Sequence, residues 1–87
     1  MTERDLIEQL ADKEHAGWAH WMDYLFTLCP ASPDGSVTIP ATLVEHWQRQ
    51  VKTPYAELTE REKQSDRNEV AHIVPIIQQY GREYRDK

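Results

Sequence analysis

The sequence predicts a mainly α fold: a small helical domain with two longer helices, one short helix and an irregular or short-strand connection. Three observations carry this expectation. Apolar residues recur at three- and four-residue steps over most of the chain, threonine-led capping patterns open two of the stretches, and prolines with an Asp-Gly pair cluster between them. With 87 residues the chain has room for one domain, spanning 1–87.

The first helix is expected over residues 2–28. Thr2 is placed to cap it, with Asp5 three residues on. Leu6, Leu10, Trp18, Met22 and Leu25 form its stripe, widened by Ile7, Trp21 and Leu28. Gly17 interrupts the stripe at a cost of about 1 kcal/mol against alanine. Residues 29–39 read as a loop, from Pro30, Pro33 and Asp34-Gly35, with residues 37–39 as a short extended piece. A short helix follows over residues 40–52, with Pro40 in its first turn and Leu43, Val44, Trp47 and Val51 as its stripe. Thr53-Pro54 ends it, because the residue before a proline avoids helical geometry. After a tight connector carrying Tyr55, Thr59-Glu60-Arg61-Glu62 reads as a capping box. The second long helix runs from there toward Tyr80 on Val70, Ile73, Val74, Ile77 and Tyr80. Pro75 kinks it or ends its first half, Gly81 stops it, and the tail 82–87 is expected to fray.

Composition excludes several function classes. Apolar residues at 39% and charged residues at 29% describe a foldable chain, not a disordered one. A formal net charge of −5 argues against a nucleic-acid polymer as partner, since phosphate neutralisation needs clustered Lys and Arg. No run approaches the ~18 apolar residues of a membrane span. The one cysteine, Cys29, has no partner for an internal disulfide, and the first residues are charged and lack a signal-length apolar run. A cytoplasmic protein is expected. The four histidines and one cysteine show no metal-ligand spacing, so neither a metal nor a cofactor is expected. No catalytic residue stands out, and His15 is the one side chain worth inspecting as an acid or base.

Two features invite a functional reading. Extending the last apolar stripe backwards from Val70 reaches Arg67, Asp66 and Lys63, charged residues where the pattern asks for apolar ones. They either pair with neighbours and snorkel to water or present cations to an anionic ligand. Three tryptophans, Trp18, Trp21 and Trp47, either build a large-residue core or form a stacking platform for a flat ligand, with His15 on the Trp18 side of its helix.

The run His15-Ala16-Gly17-Trp18, followed by Pro54-Tyr55-Ala56-Glu57-Leu58-Thr59-Glu60-Arg61-Glu62-Lys63-Gln64-Ser65-Asp66-Arg67, resembles the ryanodine-receptor repeat. That family shows a His-x-x-Trp pattern in its first helix and a Pro-Tyr-x-x-Leu-(Ser/Pro/Thr)-Glu-x-Glu-Lys-x-x-Asp-Arg segment opening the second long one. The matches span residues 15–67. Between them the chain departs from the family's glycine-rich stretch, carrying a proline-rich loop and the helix of Trp47 and Arg49. The resemblance implies a helical domain that restores the family's paired repeats by homodimerising. It also implies a non-enzymatic phage or bacterial accessory protein linked to nucleotide-derived signals.

Two functions are therefore expected as alternatives. In one, a nucleotide-like small molecule lies between aromatic rings with Arg67, Lys63 or Arg49 on its phosphates. Its candidate ligand-binding residues are His15, Trp18, Trp21, Trp47, Arg49, Tyr55, Lys63, Asp66 and Arg67, and its pocket is lined by Trp18, Tyr55 and Arg67. In the other, the motif is purely structural and the chain is a protein–protein interaction module that presents the Trp47 helix or the acidic first helix.

Overall fold

In a computed structural model describing residues 1–85, the chain is mainly helical. Its elements are α1 (Glu3–Leu28), α2 (Ala41–Lys52), a 3₁₀ turn (Tyr55–Glu57), α3 (Glu60–Ala71) and α4 (Val74–Arg85). α1 starts where Thr2 closes a reciprocal box: its hydroxyl accepts from the Asp5 amide at 3.1 Å, and the Asp5 carboxylate accepts from the Thr2 amide at 3.0 Å. These bonds satisfy two of the amide donors that a helix N-terminus leaves free. The second of them, from the Thr2 amide, is the main reason the Asp5 carboxyl titrates below its usual range.

The connection after α1 turns through Gly35, whose φ of +89° suits a residue without Cβ. Asp34 accepts from the Ser36 hydroxyl at 2.7 Å and the Ser36 amide at 2.9 Å, and a single bridge pairs Ala31 with Val37. The extended piece expected at residues 37–39 is thus one bridge, not a strand.

α3 and α4 occupy the place of the second long helix. The break at His72–Ile73 lies just upstream of Pro75, whose ring denies the preceding turn a continuous helical path. Phase is lost at this break, so the stripe of α4 does not extend into α3. Lys63 is half-buried, whereas Asp66 and Arg67 are exposed. Gly81 does not stop the helix. A glycine ends a helix by turning left-handed, and among the described residues only Gly35 has positive φ, so α4 continues to Arg85. The tail, expected to fray over 82–87, is helical as far as Arg85, and residues 86 and 87 lie outside the described residues.

α4 returns antiparallel along the first half of α1, and the last turn of α3 reaches Gly17. The α-amino group of Met1 pairs with the Glu83 carboxylate at one end, and Gly17 meets Glu69 at the other. Leu6, Leu10, Ile73 and Tyr80 are half-buried along this seam, and Ile76 is buried at 9% exposure. α2 attaches to the far half of α1 through Trp21 and Trp47, edge to face with centroids 5.6 Å apart.

The result is a slab of 56 × 34 × 16 Å between Cα atoms, with a radius of gyration of 17.6 Å. A compact chain of this length would have about 12 Å. Among the described residues only Cys29 and Ile76 are buried, and no described helix is long and apolar enough to cross a membrane.

Candidate functional site

Pro54 holds the chain extended out of α2, and the 3₁₀ turn then folds Tyr55 back over α3. There Arg67 Nε donates to the Tyr55 hydroxyl at 3.2 Å, and Arg67 Nη1 donates to Glu60 Oε2 at 3.2 Å and Gln64 Oε1 at 3.4 Å. Lys63 Nζ lies 3.8 Å from Glu60 and 5.9 Å from the centre of the Tyr55 ring. Three expected site residues, Tyr55, Lys63 and Arg67, therefore form one cluster around a carboxylate the expectation had not included. Glu60, first, and the Tyr55 hydroxyl hold the Arg67 guanidinium even more firmly protonated than usual. An anion reaching this cluster would compete with Glu60 for both cations.

A second cluster joins α2 to the start of α3. Thr59 caps α3 in a box with Glu62, accepting from the Glu62 amide at 3.2 Å while the Glu62 carboxylate accepts from the Thr59 amide at 3.0 Å. The same carboxylate takes Arg49 Nη2 at 2.7 Å and lies 3.8 Å from His46 Nε2. The Thr59 amide, foremost, holds the Glu62 carboxyl below its usual range, with Arg49 and the Thr59 hydroxyl adding to it and burial opposing. Glu62 is thus both a cap and the clasp between two helices. The capping role is visible in the spacing, whereas the clasp depends on where α2 packs.

The remaining expected residues lie elsewhere. His15 and Trp18 stack on each other along α1 at 5.7 Å, and Trp18 remains 57% exposed. Among the described residues Trp18 shares no ring contact or hydrogen bond with Tyr55 or Arg67, so the three do not meet within one chain. Trp21 and Trp47 meet each other, Arg49 belongs to the Glu62 cluster, and Asp66 is exposed on α3.

The two best-defined concavities among the described residues are open grooves. One, of about 390 Å³, is lined by Ile39, Val44, Trp47 and Val51, with Gln48 and Lys52 at its rim. Val51 is 85% exposed. The other, of about 280 Å³, lies between α1 and α4 beside Glu8, Gln9, Asp12, Lys13 and Ile76. Tyr55, Lys63 and Arg67 line neither. Among the described residues no group of three His, Cys, Asp or Glu side chains is placed to hold a metal ion. Comparison with known protein families, with curated proteins and with solved structures gives no match for this chain.

Proposed function

We propose that the chain is a non-enzymatic protein-interaction module. The motif that resembles the ryanodine-receptor repeat serves in it as an internal brace. The observation that carries this reading is the imbalance between inside and outside. Two of the described residues are buried, while Ile7, Trp18, Trp21, Phe26, Val51, Val70, Val74 and Ile77 are among the large apolar side chains left exposed. Large apolar side chains exposed in this number mark binding surfaces. The motif cations Lys63 and Arg67, by contrast, are already engaged by Glu60, and Arg49 by Glu62.

The α2 groove is the candidate seat for a partner. Ile39, Val44, Trp47 and Val51 offer apolar contact, and Lys52 at the rim favours an acidic neighbour. An amphipathic helix with an acidic flank fits this chemistry. The test compares wild type with Val51→Asp, a substitution at a side chain with almost no contacts to lose. A specific protein retained by wild type and lost by Val51→Asp, with the circular dichroism of the two unchanged, supports the reading. A nucleotide that raises the melting temperature of wild type but not of a folded Arg67→Ala variant would overturn it in favour of a small-molecule binder.

A further inference from the structure

Domains bury their apolar faces between at least two layers of secondary structure. This chain builds one layer. Its accessible surface is 7229 Å². A compact 10.2 kDa monomer is expected to expose about 5,300 Å². The excess of roughly 1,900 Å² is of the size each chain buries in an obligate homodimer.

The excess is not spread evenly. Along the α1–α4 seam the contact line runs through Leu6 and Gly17 on α1, Glu69 at the end of α3, and Ile73 and Ile76 at α4. Each of these is followed in sequence by an exposed apolar residue: Ile7, Trp18, Val70, Val74 and Ile77. A one-residue step turns a helix position by about 100°. In two antiparallel right-handed helices the same step from a shared seam leads to the same side of the pair. Those five side chains therefore lie on one face of the slab. The polar groove of Gln9, Asp12 and Lys13 opens on the other.

The spacing of the face is that of a bundle. On α1 the face runs through Ile7, Ala11, Glu14 and Trp18 at steps of four, three and four, and on α4 Val74 and Ile77 are three apart. This is the period with which helices interdigitate at shallow crossing angles. One chain supplies two antiparallel helices, α1 and α4, with apolar side chains on one face. A four-helix bundle needs two such pairs face to face.

We propose that the occupant of this face is a second copy of the chain. It is related to the first by a two-fold axis and closes a four-helix bundle over Ile7, Trp18, Val70, Val74 and Ile77. The partner chemistry follows from the face itself, whose apolar side chains lie on both helices and which a two-fold axis sets against the same side chains of a copy. The proposal deepens the interaction-module reading by naming one partner. It uses a face distinct from the α2 groove, so the two fail separately.

The test is sedimentation equilibrium of the wild-type chain across a hundredfold dilution, with thermal unfolding at each concentration. The expected result is a species of twice the 10.2 kDa chain mass and a melting temperature that rises with concentration. Trp18→Glu and Ile77→Glu, at side chains exposed in the single chain, are expected to shift the protein to monomer. Val51→Asp, outside the face, is expected to stay dimeric. A wild-type monomer whose melting temperature does not depend on concentration would overturn the proposal and leave another protein as occupant. Dimers that persist in both glutamate variants would overturn the assigned face. A dimer of Val51→Asp that has lost its heterologous partner separates the two proposals, because the copy remains while the groove fails.

Discussion

Gly17 sits in the middle of the 26-residue α1, where a glycine costs about 1 kcal/mol relative to alanine. A Cβ built there would lie 2.9 Å from Glu69 Oε2, inside ordinary contact, and otherwise meets only the Glu69 carboxyl carbon at 3.8 Å. The obstacle is the far end of an exposed, flexible side chain. Moving it off its preferred rotamer costs about 0.5 kcal/mol. Gly17→Ala is therefore expected to stabilise the protein by roughly 0.5 kcal/mol, a rise of about 2–4 °C in melting temperature for a domain of this size. Gly17→Ala combined with Glu69→Ala, compared with Glu69→Ala alone, should recover the full ~1 kcal/mol of helix propensity. Circular dichroism melts at one fixed protein concentration measure both. A fall of several degrees in both backgrounds would refute the reasoning, because it would mean that backbone, and not the Glu69 carboxylate, requires the glycine.

The other two expectations concern the clasps between helices. Because Glu62 titrates below its usual range in the folded chain, its contribution is present at neutral pH and is lost as pH falls through that lowered value, below the ordinary glutamate range. Glu62→Gln should accordingly be less stable than wild type near neutrality and converge on it in acid, and a stability gap that persists in acid would remove the carboxylate from this role. A double-mutant cycle of Trp21→Leu and Trp47→Leu should return a coupling of about 0.5–1.5 kcal/mol from their edge-to-face contact, and a coupling near zero would detach α2 from α1.

Capping chemistry was the most legible part of the chain. Thr2 with Asp5 and Thr59 with Glu62 mark both helix starts within a residue, because the side chains that satisfy the free amides are local in sequence. Pro54, Pro75 and Asp34-Gly35 likewise act where they stand. Gly81 misled because a glycine permits a left-handed stop without imposing one. Apolar periodicity showed which residues share a face but not what covers it. The Leu6, Leu10, Ile76 line and the Ile7, Trp18, Ile77 line are equally periodic, yet the first packs against a neighbouring helix of the same chain and the second does not. For the candidate site, the expected pocket of Trp18, Tyr55 and Arg67 places Tyr55 beside Arg67, which the structure joins, and Trp18 beside both, where it instead stacks on His15. Glu60 as the common counter-charge of Lys63 and Arg67 and Glu62 as the Arg49 partner depend on tertiary placement that no spacing encodes.

Where a second copy covers a slab 16 Å thick, as proposed, folding is tied to abundance. A chain that completes its interior only on meeting another copy folds with a rate and yield that rise with concentration. When scarce, it presents open helices to cellular proteases, and turnover follows the population of open chains. When plentiful, each copy shelters the next. Expression level then sets the protein's lifetime as well as its amount, and a threshold in synthesis separates rapid clearance from accumulation.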